Sequence, residues 1–406
     1  MLSEKEKIDL ITQISRDINQ VKDVDLLLER ILTYARKFFN ADAGSIYLKD
    51  GDELKFSYTQ NDTLQSRLGP GKKLLYSTFS MPCNNMSIAG YVAKNCKAVN
   101  IPDVYQISTR VPYRFDSKFD KLSDYKTRST LAVPMTNQSG EVLGAMQIIN
   151  AQDDHGNIIA FSTFDESLIM HFAVSAALAL ERAQMTRNII LRMISMAELR
   201  DPKETGAHVN RVAAYAVEIY EQWAHKKGIP QNQIDKQKDA LRMAAMLHDV
   251  GKVAISDIIL KKPARFSEEE YKIMKQHTFL GARLFSDAKS EFDEISAEVA
   301  LNHHEKWDGG GYPGMIDLKT GKAKNPNSGK KGEEIPIFGR IVALADVYDA
   351  LCSRRVYKEP WNPEKVLETI RHESGKHFDP EVVDAFFEVL DIIKSIAQRY
   401  PDKDKN

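Results

Sequence analysis

Cysteine is scarce in this 406-residue chain: Cys83, Cys96 and Cys352 are the only three. They are too few and too scattered for a disulfide framework or a thiolate zinc site, and they read as reduced cytosolic thiols. Net charge is also lacking, at −1, so nothing in the bulk electrostatics pulls the chain toward DNA, a membrane surface or an acidic partner. Any anion binding must be local. No long uninterrupted apolar run is present either. The most apolar stretch, 168–180, is broken by His171 and Ser175, and the N-terminus MLSEKEKIDL is charged rather than secretory. A membrane-free, cytoplasmic protein is the expectation.

What remains is an ordinary globular composition, 43% hydrophobic and 28% charged, which excludes disorder, collagen and coiled-coil rods as the dominant state. The length suits two or three domains. Apolar positions from Leu10 to Leu32 keep a helical period with a break near Asp23, and the pattern then changes to strand-like runs at 43–48 and 53–58 across the turn Asp50-Gly51-Asp52. Strands recur at 131–135 and 142–150. The expected order of helix, hairpin, loop-helix excursion, hairpin and helix defines an α+β domain with an antiparallel sheet.

Ser162 or Thr163 caps the next helix, with Asp165 and Glu166 following as capping-box acids. Its apolar period persists without Gly or Pro to Asp201-Pro202. A helix of that length exceeds what one small domain covers, so part of it is expected to be a linker that pairs with a second copy of the chain. After Pro202 strand signals almost vanish, and helical patterns at 205–226, 236–250, 268–286, 293–304, 338–352, 363–372 and 380–399 predict an all-α domain. The lysine-rich 317–334 segment lacks an apolar stripe and is expected to be a solvated surface loop.

Histidines and acids stand out against these apolar helices. Glu204 and His208 are four apart on one helical face; His248 and Asp249 end an apolar helix, with Gly251 in the turn before Lys252; His277 is placed on the face of Ile273. His303 and His304 close another helix, and Asp346 interrupts the apolar run RIVALADVYDAL. Joint burial of five imidazoles and three carboxylates is costly without a cation to satisfy them. An imidazole-rich, thiolate-free set suits iron or manganese, and eight ligands suggest two or three divalent ions sharing a bridging carboxylate, with Asp249 the best candidate.

The ordered set HDVGK followed by HHEKWDGGGYP resembles the HD phosphohydrolase superfamily, in particular its HD-GYP branch of cyclic di-GMP phosphodiesterases. The resemblance covers roughly residues 190–390. It implies metal ligands at Glu204, His208, His248, Asp249, His277, His303, His304 and Asp346, with catalytic roles for His248, Asp249 and Lys252. Substrate contacts are implied at Lys252, Tyr312, Arg355 and Lys358, with Val356 standing where that branch has proline. A metal-activated hydroxide would hydrolyse cyclic di-GMP to linear pGpG or GMP. Alternatives are hydrolysis of another cyclic dinucleotide such as cyclic GMP-AMP, or a non-hydrolysing sensor that docks diguanylate cyclases.

Residues 20–183 resemble a GAF domain. The signature of its nucleotide-binding members maps to Asn150, Phe161, Asp165 and Glu166, but Ala151 replaces the lysine that pairs with the aspartate, which argues against a cyclic-nucleotide ligand. The expectation is therefore multidomain: an N-terminal helix over 1–19, a GAF domain sensing an unidentified small molecule or serving as a dimerisation platform, a linker helix over 184–201, and an all-α HD-GYP domain over 202–400.

Overall fold

The computed structural model describes residues 12, 14, 16–68, 79–198, 206–262, 264–323, 329–353 and 361–401. Most of the N-terminal helix expected over 1–19 lies outside them. The chain divides into two compact units, 1–187 and 188–406.

In the first unit, Asp23 breaks the helical period as expected. Its carboxylate accepts hydrogen bonds from the amides of Asp25 and Leu26, capping the helix Val24–Phe38. The strands are β1 (Ala41–Asp50), β2 (Glu53–Asn61), β3 (Ser80–Pro82), β4 (Val99–Ile101), β5 (Thr130–Thr136), β6 (Val142–Gln152) and β7 (Ile158–Ile159). They form one antiparallel sheet in the order β3-β2-β1-β6-β5-β4, with β7 pairing to β6. Alternation assigns the two faces. Leu131, Val133 and Met135 join Leu28, Ile31, Phe172 and Leu180 in a helix-covered core, whereas Ala132, Tyr47 and Ala145 face the opposite way, toward Val92 of the helix Ile88–Asn95. Strands β3, β4 and β7 are two or three residues long, too short for an alternating signal in the sequence.

The GAF-type residues do structural work here. Asn150 adopts the left-handed φ of 57° and is buried; its side chain accepts from the Arg128 amide and donates to the Lys126 carbonyl and the Tyr125 hydroxyl. Phe161 is buried in the helix-covered core. Asp165 and Ser162 exchange hydrogen bonds that cap the helix Thr163–Glu198.

That helix is 36 residues long. By length and composition its stretch Thr163–Met196, whose most apolar 18-residue window has mean hydropathy 1.2, would suffice to cross a membrane. Phe172, Ala173, Ala176 and Leu180 instead turn this apolar character into the core of the first unit. Beyond them, Met185, Ile189, Met193 and Met196 are exposed at three- and four-residue intervals.

The second unit is helical, and its described residues contain only two isolated β-bridges. Its core joins Ile219 of the helix Gly206–Lys226, Leu241 of Gln231–Met246, Val299 of Glu291–Asn302, Ile341 and Leu344 of Ile337–Cys352, and Phe386 of Pro380–Glu388. Four of these helices bring candidate ligands to the site.

Candidate metal centre

The helix Gln231–Met246 is buried over its last turns, from Ala240 to its C-cap Leu247, so His248 and Asp249 emerge at the edge of the core. The following 3-10 turn, Val250–Ala254, packs tightly on the helix His277–Arg283. A Cβ on Gly251 would stand 1.9 Å from the His277 carbonyl oxygen and 2.5 Å from the Gly281 nitrogen. Glycine is required at this position by a backbone-to-backbone approach rather than by a turn conformation. This approach brings Asp249 to His277.

Sequence periodicity placed His277 on the face of Ile273, and the structure corrects this. One helix ends at Lys275 and another begins at His277; Ile273 is exposed while His277 is buried. His303 is the C-cap of Glu291–Asn302, His304 follows it, and His208 and Asp346 come from the helices Gly206–Lys226 and Ile337–Cys352.

These residues form two groups whose ligand atoms lie within 4.8 Å of one another: Asp249, His277, His303 and His304, and then His208, His248 and Asp346. Seven of the eight sequence-predicted ligands are thus brought together. The eighth, Glu204, lies outside the described residues, as do Arg355 and Lys358.

Hydrogen bonding fixes the imidazole tautomers. His248 Nδ1 is 2.8 Å from the Ala245 carbonyl oxygen, His277 Nδ1 is 2.6 Å from that of Met274, and His303 Nδ1 is 3.1 Å from those of Val299 and Ala300. A carbonyl only accepts, so each Nδ1 carries the proton and each Nε2 presents a lone pair. Those lone pairs point at a carboxylate: His277 Nε2 and His303 Nε2 lie 3.1 and 3.5 Å from Asp249 Oδ1, and His248 Nε2 lies 3.3 Å from Oδ2. His277 Nε2, His303 Nε2 and Asp249 Oδ1 are buried and make no hydrogen bond. Lone pairs facing lone pairs in a dry site are unfavourable until a cation sits between them. The donor set fits divalent metal.

Electrostatics favour the same state. Burial would raise the Asp249 pKa, but the charge of Lys252 works against it and the carboxyl lies well below its usual range. Burial also lowers the pKa of His303 and, more strongly, of His304, keeping both imidazoles neutral and able to ligate. Lys252 Nζ sits 2.7 Å from Asp249 Oδ2.

Tyr312 follows three glycines, and its ring packs at 4.9 Å between centroids from His304. Gly311 is obligatory, since a Cβ there would stand 2.3 Å from the Lys306 amide. Glu305 holds the loop from beneath by accepting hydrogen bonds from the Gly314 and Lys330 amides. The lysine-rich 317–334 segment is therefore not wholly solvated: Lys330 is buried, hydrogen-bonded to Asn302, and the Gly329 amide bonds to Gly309. Residues 324–328 lie outside the described set.

Sequence reasoning missed Asp349. His208 Nδ1 lies 2.8 Å from Asp349 Oδ2, which directs Nε2 toward Asp346 Oδ1 at 3.5 Å. Arg211 grips the same carboxylate bidentately, at 2.6 and 2.9 Å. Burial alone would raise the pKa of Asp349, yet His208 and Arg211 hold it at about 2. The available signal was a second acid three residues after Asp346 in the same apolar helix.

Residues 192–382 match the HD domain family and residues 23–180 the GAF domain family, so the chain joins a GAF domain to an HD domain. Among curated relatives it is 35% identical over 288 residues to a cyclic di-GMP phosphodiesterase of Vibrio cholerae, covering 70% of this chain and 53% of the relative. It is 41% identical over 215 residues to a cyclic di-GMP phosphodiesterase of Thermotoga maritima, covering 53% and 52%. It is also 37% identical over 225 residues to 3'3'-cGAMP-specific phosphodiesterase 2 of Vibrio cholerae, covering 55% and 39%. The chain spans about half or less of the length of these relatives.

Proposed function

We propose that this chain is a metal-dependent phosphodiesterase of the HD-GYP type that hydrolyses cyclic di-GMP to linear pGpG or GMP under control of its GAF domain. The observation that carries this reading is the convergence of imidazole lone pairs on Asp249 beside Lys252 and Tyr312. His208, His248, Asp249, His277, His303, His304 and Asp346, with Glu204 completing the set, would hold two or three ions, iron or manganese by the chemistry of the donors. Bound there, divalent ions supply positive charge for a phosphodiester and acidify water at neutral pH.

The protein's own groups bind and orient the substrate. Lys252, Arg355 and Lys358 neutralise the phosphates, the arginine bidentately, and Tyr312 stacks on a guanine or donates to a phosphate. Asp249, with neighbours from both ligand groups, is the carboxylate that would help to hold more than one ion. His248, His277 and His303 are buried, so a low local dielectric strengthens charge interactions at Asp249.

One observation favours a second substrate: a relative at 37% identity is named for 3'3'-cGAMP. Cyclic GMP-AMP is therefore the alternative. The partners in this reading are a small molecule bound by the GAF domain, a second copy of the chain, and diguanylate cyclases that the domain could dock. Exposed Met185, Ile189, Met193 and Met196 support the homodimer. A cytoplasmic location follows from the class of substrate and the reduced cysteines.

The test is anaerobic reconstitution with Fe(II) or Mn(II), followed by incubation with each cyclic dinucleotide and chromatography of the products. Linear dinucleotide or mononucleotide from cyclic di-GMP is expected, and His248→Ala should abolish it. Product from cyclic GMP-AMP alone would select the alternative. Tight binding without product would make the domain a sensor.

A further inference from the structure

Lys275 occupies an unusual position beside the metal centre. It is the last residue of the helix Glu268–Lys275, two residues before the candidate ligand His277. Its ammonium sits 4.6 Å from the centre of the Tyr271 ring and 5.0 Å from that of Tyr312. The two rings meet edge to face at 6.2 Å, so a single cation is shared by both π-systems. Nearby lysines are neutralised differently: Lys261 and Lys262 pair with Asp257 and Glu270. Among the described residues, no carboxylate lies within ion-pair distance of Lys275.

Tyr312 links this cation to the chemistry, because its ring also packs on His304 of the Asp249 cluster. Lys252, which also lies at the cluster, has its Nζ on Asp249 Oδ2. A half-buried ammonium held between two tyrosine rings, without a carboxylate, is positioned to receive an anion that reaches past the metal centre. A cyclic dinucleotide carries such an anion, since its two phosphates lie on opposite sides of one covalent ring. When one phosphate is at the metal centre, the other must be met elsewhere.

We infer that Lys275, framed by Tyr271 and Tyr312, contributes a cation to the subsite for the second, non-scissile phosphate of a cyclic dinucleotide, in addition to the phosphate contacts proposed for Arg355 and Lys358. Tyr271 is 44% exposed and supplies an aromatic edge for the adjoining base. The inference rests on the proposed phosphodiesterase reading and adds a specificity determinant to it. Lys275 makes the enzyme prefer a two-phosphate ring over a diester with a single phosphate.

The experiment compares wild type, Lys275→Met and Lys275→Arg on cyclic di-GMP, cyclic GMP-AMP and bis(p-nitrophenyl) phosphate, with equilibrium binding of both dinucleotides measured in parallel. Lys275→Met should lower the ratio of kcat/KM for the preferred dinucleotide to that for bis(p-nitrophenyl) phosphate about tenfold. The loss should fall on KM, with a matching rise in Kd, because one charge-assisted contact is removed. Lys275→Arg, which keeps the charge and the ring stacking, should restore most of the ratio. An unchanged ratio, or a loss that falls on kcat for both substrate types, overturns the subsite while leaving the phosphodiesterase reading intact. A wild-type protein that cleaves bis(p-nitrophenyl) phosphate but neither binds nor cleaves either dinucleotide overturns both.

Discussion

Asp349→Asn tests whether the site depends on the residue behind the ligands. The substitution preserves volume but removes the charge that pairs with Arg211, whose side chain is only 4% exposed. Leaving one member of a buried ion pair uncompensated costs about 3–5 kcal/mol. An independent route gives a smaller figure of the same sign. A carboxyl held at about 2 in the folded state, against an ordinary 3.8, contributes roughly 2–3 kcal/mol at neutral pH. Because the folded value is the depressed one, that contribution is present above the unfolded pKa and disappears as pH falls from about 4 to about 2. The larger figure includes the stranded guanidinium, which the titration of Asp349 alone does not. Loss of the acceptor for His208 Nδ1 also frees the ring to turn, and outer-shell partners of metal-bound histidine are worth about 10–100-fold in metal affinity. The assay is urea unfolding of the metal-free chain followed by tryptophan fluorescence. All three tryptophans, Trp223, Trp307 and Trp361, lie in the helical unit, so the signal reports on it alone. Calorimetric titration with Mn(II) supplies the affinity. Asp349→Asn should lose about 3–5 kcal/mol and at least tenfold in affinity, and Arg211→Met added to it should recover part of the stability. A single variant within about 1 kcal/mol of wild type, with unaltered metal affinity, would refute the reasoning.

Other expectations follow from the same geometry. Glu298 is half-buried near Lys330, Arg340 and the Phe338 amide, where desolvation pushes its pKa up to about 7 from 4.5, so it opposes folding increasingly as pH rises from about 4.5 to 7 and by up to roughly 3 kcal/mol above that. Glu298→Gln, which keeps an acceptor for the Phe338 amide, should therefore raise Tm more at pH 8 than at pH 5; equal shifts at both would contradict the assigned burial cost. Gly251→Ala places a methyl 1.9 Å from the His277 carbonyl oxygen and should destabilise the helical unit by about 1–3 kcal/mol while weakening Mn(II) binding, measurable in the same two assays. His303→Ala removes an Nε2 aimed at Asp249 and should reduce bound metal, read by elemental analysis after reconstitution, along with phosphodiesterase activity.

The polar residues of the site were legible because each interrupts an apolar helical stripe. His248-Asp249 after LRMAAML, His303-His304 after ISAEVALN and Asp346 inside RIVALADVYDAL cost too much to bury without a shared purpose. The architecture was legible for a similar reason, since the long strands β1, β2, β5 and β6 carry a period of two and the later helices a period near 3.6. Local patterns failed where long-range contact decides the outcome. Lys330 read as one more solvated lysine, yet the loop folds it back onto Asn302, a bond 28 residues apart in sequence. His277 read as a continuation of one helix face, but packing of Gly251 against Gly281 fixes a separate short helix.

The sequence by itself determined which residue types were available: imidazoles and carboxylates placed where an apolar helix ends or is interrupted, a glycine-rich loop carrying a tyrosine, and a long capped helix free of Gly and Pro. Only the tertiary structure decided which imidazole nitrogen faces inward, that Asp349 rather than a ligand anchors Arg211 and His208, and that the ammonium of Lys275 lies over Tyr312. The physical reason is range. Burial patterns repeat along a few turns of chain, whereas a tautomer, a buried ion pair and a shared ring depend on groups that meet across as many as 141 residues.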